Sequence, residues 1–243
     1  MGDRNLNDLL RWSIENTATG PDGTTDQAPP RSTLNPEALA ALMGGPSDAD
    51  LMRESMAAIL STDPQITLES KLTAFDNLEQ LIESLDNANL LSKLGLWTPL
   101  LQCLAHDEDE IRLMAAWCVG TAVQNNEPSQ ERLVALGGVE MLVQMAVGKR
   151  LPPPVSTSTV DGGQREEGEN AAGEETKSVR RKALYALSSA VRNYQPAMDV
   201  CTAELQRQGQ DANVGGDGKS VDATNMDAVD VVINGLKEKV MSA

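Results

Sequence analysis

Two stretches of this chain repeat each other at a spacing of 42 residues, and a chain that repeats at that period has few ways to fold. LLSKLGLWTPLLQCLA (90–105) set against RLVALGGVEMLVQMAV (132–147) pairs Leu91 with Leu133, Leu94 with Leu136, Gly95 with Gly137, Leu100 with Leu142 and Gln102 with Gln144. The preceding helical stretch carries the same relation at a shift of 41, with Leu72 on Leu113 and Ala74 on Ala115. A third copy is displaced by 68: IRLMAAWCVGTAVQNNEP (111–128) aligns with VRRKALYALSSAVRNYQP (179–196). Arg112/Arg180, Ala115/Ala183, Asn125/Asn193 and Pro128/Pro196 are identical there, and Trp117 faces Tyr185. The extra length falls in LPPPVSTSTVDGGQREEGENAAGEETKS, where Pro, Gly, Ser, Thr and Glu replace apolar period; this predicts a disordered acidic insertion over about 151–176.

A 42-residue, three-helix unit with a Gly turn between its first and second helices is an armadillo-type signature. Ile111, Ala115, Cys118, Val119 and Ala122 lie on one helical face that no single unit can hide, so neighbouring units must stack. Ala115, Ala116, Gly120 and Ala122 are small enough for close helix approach. No strand-like alternation appears, and the expected fold is all-α: an armadillo-like helical solenoid of about three to four repeats with a flexible N-terminal segment.

Organisation follows composition. Residues 1–32 combine a short amphipathic helix carrying Leu9, Leu10, Trp12 and Ile14 with a Gly/Pro/Thr linker. The armadillo-like domain spans 33–207, interrupted by the insertion. A linker at 208–221 and a capping helix at 222–243, started by Asp222 or Thr224, complete the chain. Within the domain, Asp63-Pro64 is expected to open a long helix reaching Leu85.

Twenty Lys plus Arg against 36 Asp plus Glu give a net charge of −16, which argues against nucleic acid and anionic membranes as partners. No apolar run is long enough to span a bilayer. Cys103, Cys118 and Cys201 are too widely spaced for a disulfide framework and read as buried reduced thiols, which suggests the cytoplasm. His106, the one histidine, stands alone, so no metal site, no cofactor and no catalytic pairing is expected. GGDGKS (215–220) has Asn213 where a phosphate loop needs Gly, and reads as linker. KSVRRK (177–182) either meets an acidic partner or neutralises the acidic insertion.

A second helical face is more informative. Leu113, Trp117, Thr121 and Asn125 are spaced by four, and Arg181, Tyr185, Ser189 and Asn193 repeat the pattern. In a stacked solenoid these make a ladder along the concave side. It either grips a partner or pads the neighbouring helix.

Three blocks, LNDLLRWSIENT (6–17), NPEALAALMGGPSDADLMRESM (35–56) with LTAFDNLEQLIESLDNANLL (72–91), and RRKALYALSSAVRNYQPAM (180–198), resemble the fungal armadillo-type nucleotide exchange factors of the seventy-kilodalton heat-shock chaperones. The resemblance implies a co-chaperone and not an enzyme. Such proteins wrap the ATPase domain of the chaperone, hold its cleft open and speed ADP release in support of protein folding. It implies a monomer with Trp117, Thr121, Asn125, Tyr185, Ser189 and Asn193 facing the chaperone. It also implies a client-release segment at Leu9, Leu10, Trp12 and Ile14. A peptide or cargo adaptor is the alternative. Against it stand the small number of repeats, and Thr121 and Ser189 where adaptor grooves carry Asn.

Overall fold

A computed structural model of the chain describes residues 46–152, 173–210 and 220–242. The chain divides into two units, Met1–Ser47 and Asp48–Ala243, and the described residues belong almost wholly to the second. Residues predicted as the N-terminal helix and its linker lie outside them, as do 153–172 of the insertion and 211–219 of the last linker.

Ten α-helices occur among the described residues: α1 (Asp48–Leu60), α2 (Leu68–Ile82), α3 (Leu85–Lys93), α4 (Trp97–Gln102, extended by a 3-10 turn, Cys103–Ala105), α5 (Asp109–Val123), α6 (Glu127–Ala135), α7 (Gly138–Ala146), α8 (Lys177–Val191), α9 (Gln195–Arg207) and α10 (Met226–Ser242). No strand forms among them beyond one isolated antiparallel bridge, Lys149 with Glu174.

The repeats are visible in the packing. Long helices α2, α5 and α8 lie side by side with α5 in the middle, and helices α3, α6 and α9 pack against one another in sequence. Gly95 and Gly137 join the two short helices of successive units with φ of +70° and +73°, a left-handed backbone that disfavours any residue with a Cβ. The predicted core stripe of α5 is fully enclosed: Ile111, Ala115, Cys118, Val119 and Ala122 are all buried. Burial lifts the three thiols well out of the reactive range, Cys103 to about 11 and Cys201 to about 12, with Cys118 also pushed far up.

The repeated arginines both donate to backbone carbonyls that precede their own helices. Arg112 Nη1 donates to the carbonyls of His106 and Asp107 at 2.7 and 2.8 Å, holding the turn between α4 and α5. Arg180, its equivalent in the third unit, donates through Nε to the Ala146 carbonyl at 3.3 Å, the last residue of α7. Arg180 thus supplies a donor to an orphaned C-terminal carbonyl, and Arg112 to two carbonyls of a turn. Arg112 is also clamped by Glu175, with Nε to Oε2 at 2.9 Å and Nη2 to Oε1 at 2.7 Å, and by Asp109 Oδ1 at 2.6 Å. Burial works against its charge, but Glu175 and Asp109 more than offset that and raise its pKa above the ordinary value.

Four local expectations change. Asp63-Pro64 opens a single turn and not the helix: the Asp63 carboxylate takes the Gln65 N–H (2.9 Å) as a cap would and its carbonyl takes that of Ile66 (3.0 Å), but the chain leaves the helical path there. Helix α2 starts later, capped by Thr67 Oγ1 on the Ser70 N–H at 3.2 Å. Leu85 does not end that helix; it opens α3 and is more than half exposed. The last helix is capped by Asn225 Oδ1 on the Ala228 N–H at 3.2 Å, while Asp222 holds the turn before it through the Thr224 N–H and hydroxyl. Finally, Glu174, Glu175 and Thr176, at the end of the predicted disordered stretch, are built into the fold. The Glu175 N–H donates to the Gly148 carbonyl at 2.9 Å, and its side chain is buried on Arg112.

Helix α10 closes the stack on α8 with a Val229, Val232, Ile233, Leu236, Val240 stripe. An Arg192–Asp230 ion pair and a Lys177 Nζ bond to the Met241 carbonyl (2.8 Å) hold it there.

Candidate partner-binding face

The buried stripes of α5 and α8 leave a second face on each helix, and the two faces are brought together by a close approach. Gly120 makes that approach possible. A Cβ at this position would sit 2.5 Å from Tyr185 Cε1 and 3.0 Å from the Ala186 Cα, so the missing side chain lets the Tyr185 ring rest on α5.

Lys182 fills the space between the helices. Its Nζ lies 3.4 Å from the centroid of the Trp117 ring and 5.6 Å from that of Tyr185. A cation over an aromatic face contributes about 0.5–2 kcal/mol, more as water is excluded. Burial lowers the Lys182 pKa, opposed by the charge of Glu79 on α2. Glu79 accepts the Thr121 hydroxyl proton at 2.7 Å, and the Tyr185 hydroxyl donates to Gln124 Oε1 at 3.5 Å. One patch therefore spans all three long helices: Glu79 on α2; Trp117 and Thr121 on α5, with Gln124 at its end; Lys182 and Tyr185 on α8.

Of the residues singled out from sequence, Trp117, Thr121 and Tyr185 meet here. Trp117 is half-buried and packs against the core, while Tyr185 is exposed. Ser189 stands at the far end of α8, half-buried, and its carbonyl is one of three capped by the Gln130 amide, with those of Ala190 and Arg192. Asn125 and Asn193 are exposed turn residues at φ of +51° and +57°. Asn tolerates the left-handed region better than other residues with a side chain, which explains both positions through the backbone. Leu9, Leu10, Trp12 and Ile14 lie outside the described residues. Lys182 and Glu79 were not singled out. The KSVRRK run announced positive charge, but only the packed helices separate Arg180, which turns inward, from Lys182, which stacks on Trp117.

His106 sits in the α4–α5 turn, its Nδ1 accepting the Glu108 N–H at 3.0 Å. Burial, with Lys71 nearby, lowers its pKa. Among the described residues no group of three His, Cys, Asp or Glu side chains is placed to hold a metal, and no helix is long and apolar enough to cross a membrane. An amphipathic face of aromatic, cationic and amide groups is suited to gripping another protein.

Known proteins bear on what that protein is. The family model described as nucleotide exchange factor Fes1 matches residues 6–91, and a HEAT repeat model matches 96–125, covering α4 and α5. HEAT and armadillo repeats are both stacked-helix units of this length. The chain is 53% identical over 245 residues to the Hsp70 nucleotide exchange factor FES1 of Gibberella zeae, with all of both chains covered. It is 45% identical over 270 residues to the Hsp70 nucleotide exchange factor fes-1 of Neurospora crassa, covering 99% of this chain and 100% of that one. The Hsp70 nucleotide exchange factor FES1 of Saccharomyces cerevisiae is 39% identical over 190 residues, 76% of this chain and 55% of the yeast protein. Identity of this order along the whole length, together with the repeat architecture, makes the chain a member of the Fes1 family of Hsp70 nucleotide exchange factors.

Proposed function

We propose that the chain is a nucleotide exchange factor for an Hsp70 chaperone: it binds the chaperone's ATPase domain as a monomer in the cytoplasm and accelerates loss of ADP. The observation that carries this reading is the full-length identity to FES1 of Gibberella zeae. The Trp117–Lys182–Tyr185 patch supplies a contact surface suited to the task.

The mechanism is a population shift. The factor grips the open form of the nucleotide cleft more tightly than the closed, ADP-holding form, and moves the equilibrium by that difference in affinity. None of its own side chains needs to touch nucleotide. The adaptor alternative has less support, because Thr121 and Ser189 stand where adaptor grooves carry Asn, and the Thr121 hydroxyl hydrogen is already donated to Glu79.

Linkage gives a test that does not involve kinetics. If the factor weakens ADP binding, ADP must weaken factor binding by the same ratio. Titration of the chaperone's ATPase domain with the chain, with and without saturating ADP, should show affinity lower in ADP by about 5–150-fold. Equal affinities in the two titrations would rule out exchange by this mechanism.

A further inference from the structure

Helices α8 and α10 do not close fully against each other. Between them runs a groove of about 390 Å³ with Leu184, Ile233 and Val240 at its base, Tyr185 on one side, and Arg181 and Lys237 at the rim. Tyr185 belongs both to this groove and to the Trp117–Lys182 patch, so the two surfaces are continuous.

The charge here runs against the rest of the chain. Acids outnumber bases 36 to 20, and Arg53, Arg112, Arg150, Arg180, Arg192 and Arg207 all stand in ion pairs. Arg181 and Lys237 form no ion pair among the described residues, as is also true of Lys71, Lys93, Arg132, Lys149, Lys177, Lys182 and Lys239, but these two are the charged side chains that line the groove, and no acid lines it. Arg181 and Lys237 are exposed. A second copy of so acidic a chain is a poor occupant, since net repulsion opposes it. An acidic segment of another protein is a good one.

We infer that the α8–α10 groove extends the chaperone-binding surface onto the last helix, and that it receives a chaperone segment presenting a carboxylate beside an aliphatic side chain. The inference rests on the exchange-factor reading. The aliphatic group fills the Leu184–Ile233–Val240 base, and the carboxylate meets Arg181 and Lys237. Charges at a rim act mainly on encounter and selectivity and make binding sensitive to salt.

The test is a fluorescence-anisotropy titration of the full chain against the chaperone at two ionic strengths. Arg181→Glu combined with Lys237→Glu should weaken binding at least about tenfold and flatten its salt dependence. Both residues are exposed and unpaired, so the helical circular-dichroism signal should be unchanged. Lys93→Glu combined with Arg132→Glu makes the same charge change on α3 and α6 and should leave affinity within about twofold. Equal losses in the two double variants would overturn the groove in favour of a general charge effect. Unchanged binding by the α8–α10 variant would overturn it directly. Tighter binding would overturn it in favour of the chain's own acid residues as occupants. ADP release by the unmodified chain separates the two claims: no acceleration removes the exchange reading, whereas acceleration matched by the variant removes the groove alone.

Discussion

Arg112→Ala is expected to destabilise the protein by about 3–5 kcal/mol, a large fraction of the stability of a domain this size. Arg112 is 1% exposed and Glu175 3% exposed, so truncating the arginine leaves a carboxylate buried without its partner. The His106 and Asp107 carbonyls at the end of the preceding turn lose their donor as well. Thermal unfolding should show a midpoint about 10 °C lower or more. Combining Arg112→Met with Glu175→Leu should recover much of the loss, because it removes the buried charge together with its partner. The two capped carbonyls stay unpaired in that variant, so recovery should be incomplete. If Arg112→Ala unfolded at the wild-type midpoint, the ion pair would not be what ties the residues before α8 to the α4–α5 turn.

Trp117→Ala combined with Tyr185→Ala should weaken chaperone binding by about 2–4 kcal/mol, on the order of 30- to 1,000-fold. Both rings flank the Lys182 ammonium, so their loss removes two aromatic anchors and frees a cation held 3.4 Å over the Trp117 ring. Trp117 packs partly against the core, so a moderate loss of stability will accompany the substitution. Far-UV circular dichroism at the binding temperature checks that the helices persist. Trp117→Phe keeps a ring under Lys182 and should retain most of the affinity. Wild-type affinity in a folded double alanine variant would exclude both residues from the interface.

What the sequence made legible is what burial dictates. A stripe such as Ile111, Ala115, Val119 and Ala122 must be hidden by a neighbour, and Gly95 and Gly137 mark joints because Gly adopts the left-handed backbone there at least cost. The stacked helices and the positions of Trp117, Thr121 and Tyr185 follow from that periodicity. What stayed hidden depends on partners remote in sequence. Glu175 looked like one more acid in a polar stretch until Arg112, 63 residues away, took its carboxylate. Asn125 and Asn193 shared a spacing with Trp117 and Tyr185, but the backbone at the helix ends accounts for them. Lys182 was one of four cations in a short run, and only the depth of α8 against α5 picks it out. Asp63-Pro64 has the chemistry of a helix start and makes the cap bond to the Gln65 N–H, yet only one turn forms there and Thr67 caps the helix that follows.

All of the functional reading depends on an open cleft held by a helical stack. Stopped-flow release of a fluorescent ADP from a cytosolic Hsp70, with increasing amounts of the chain and excess unlabelled nucleotide, measures that directly. Release should quicken with concentration and level off as the complex saturates. Release at the spontaneous rate throughout the titration, with folded protein confirmed in the same sample, would contradict it.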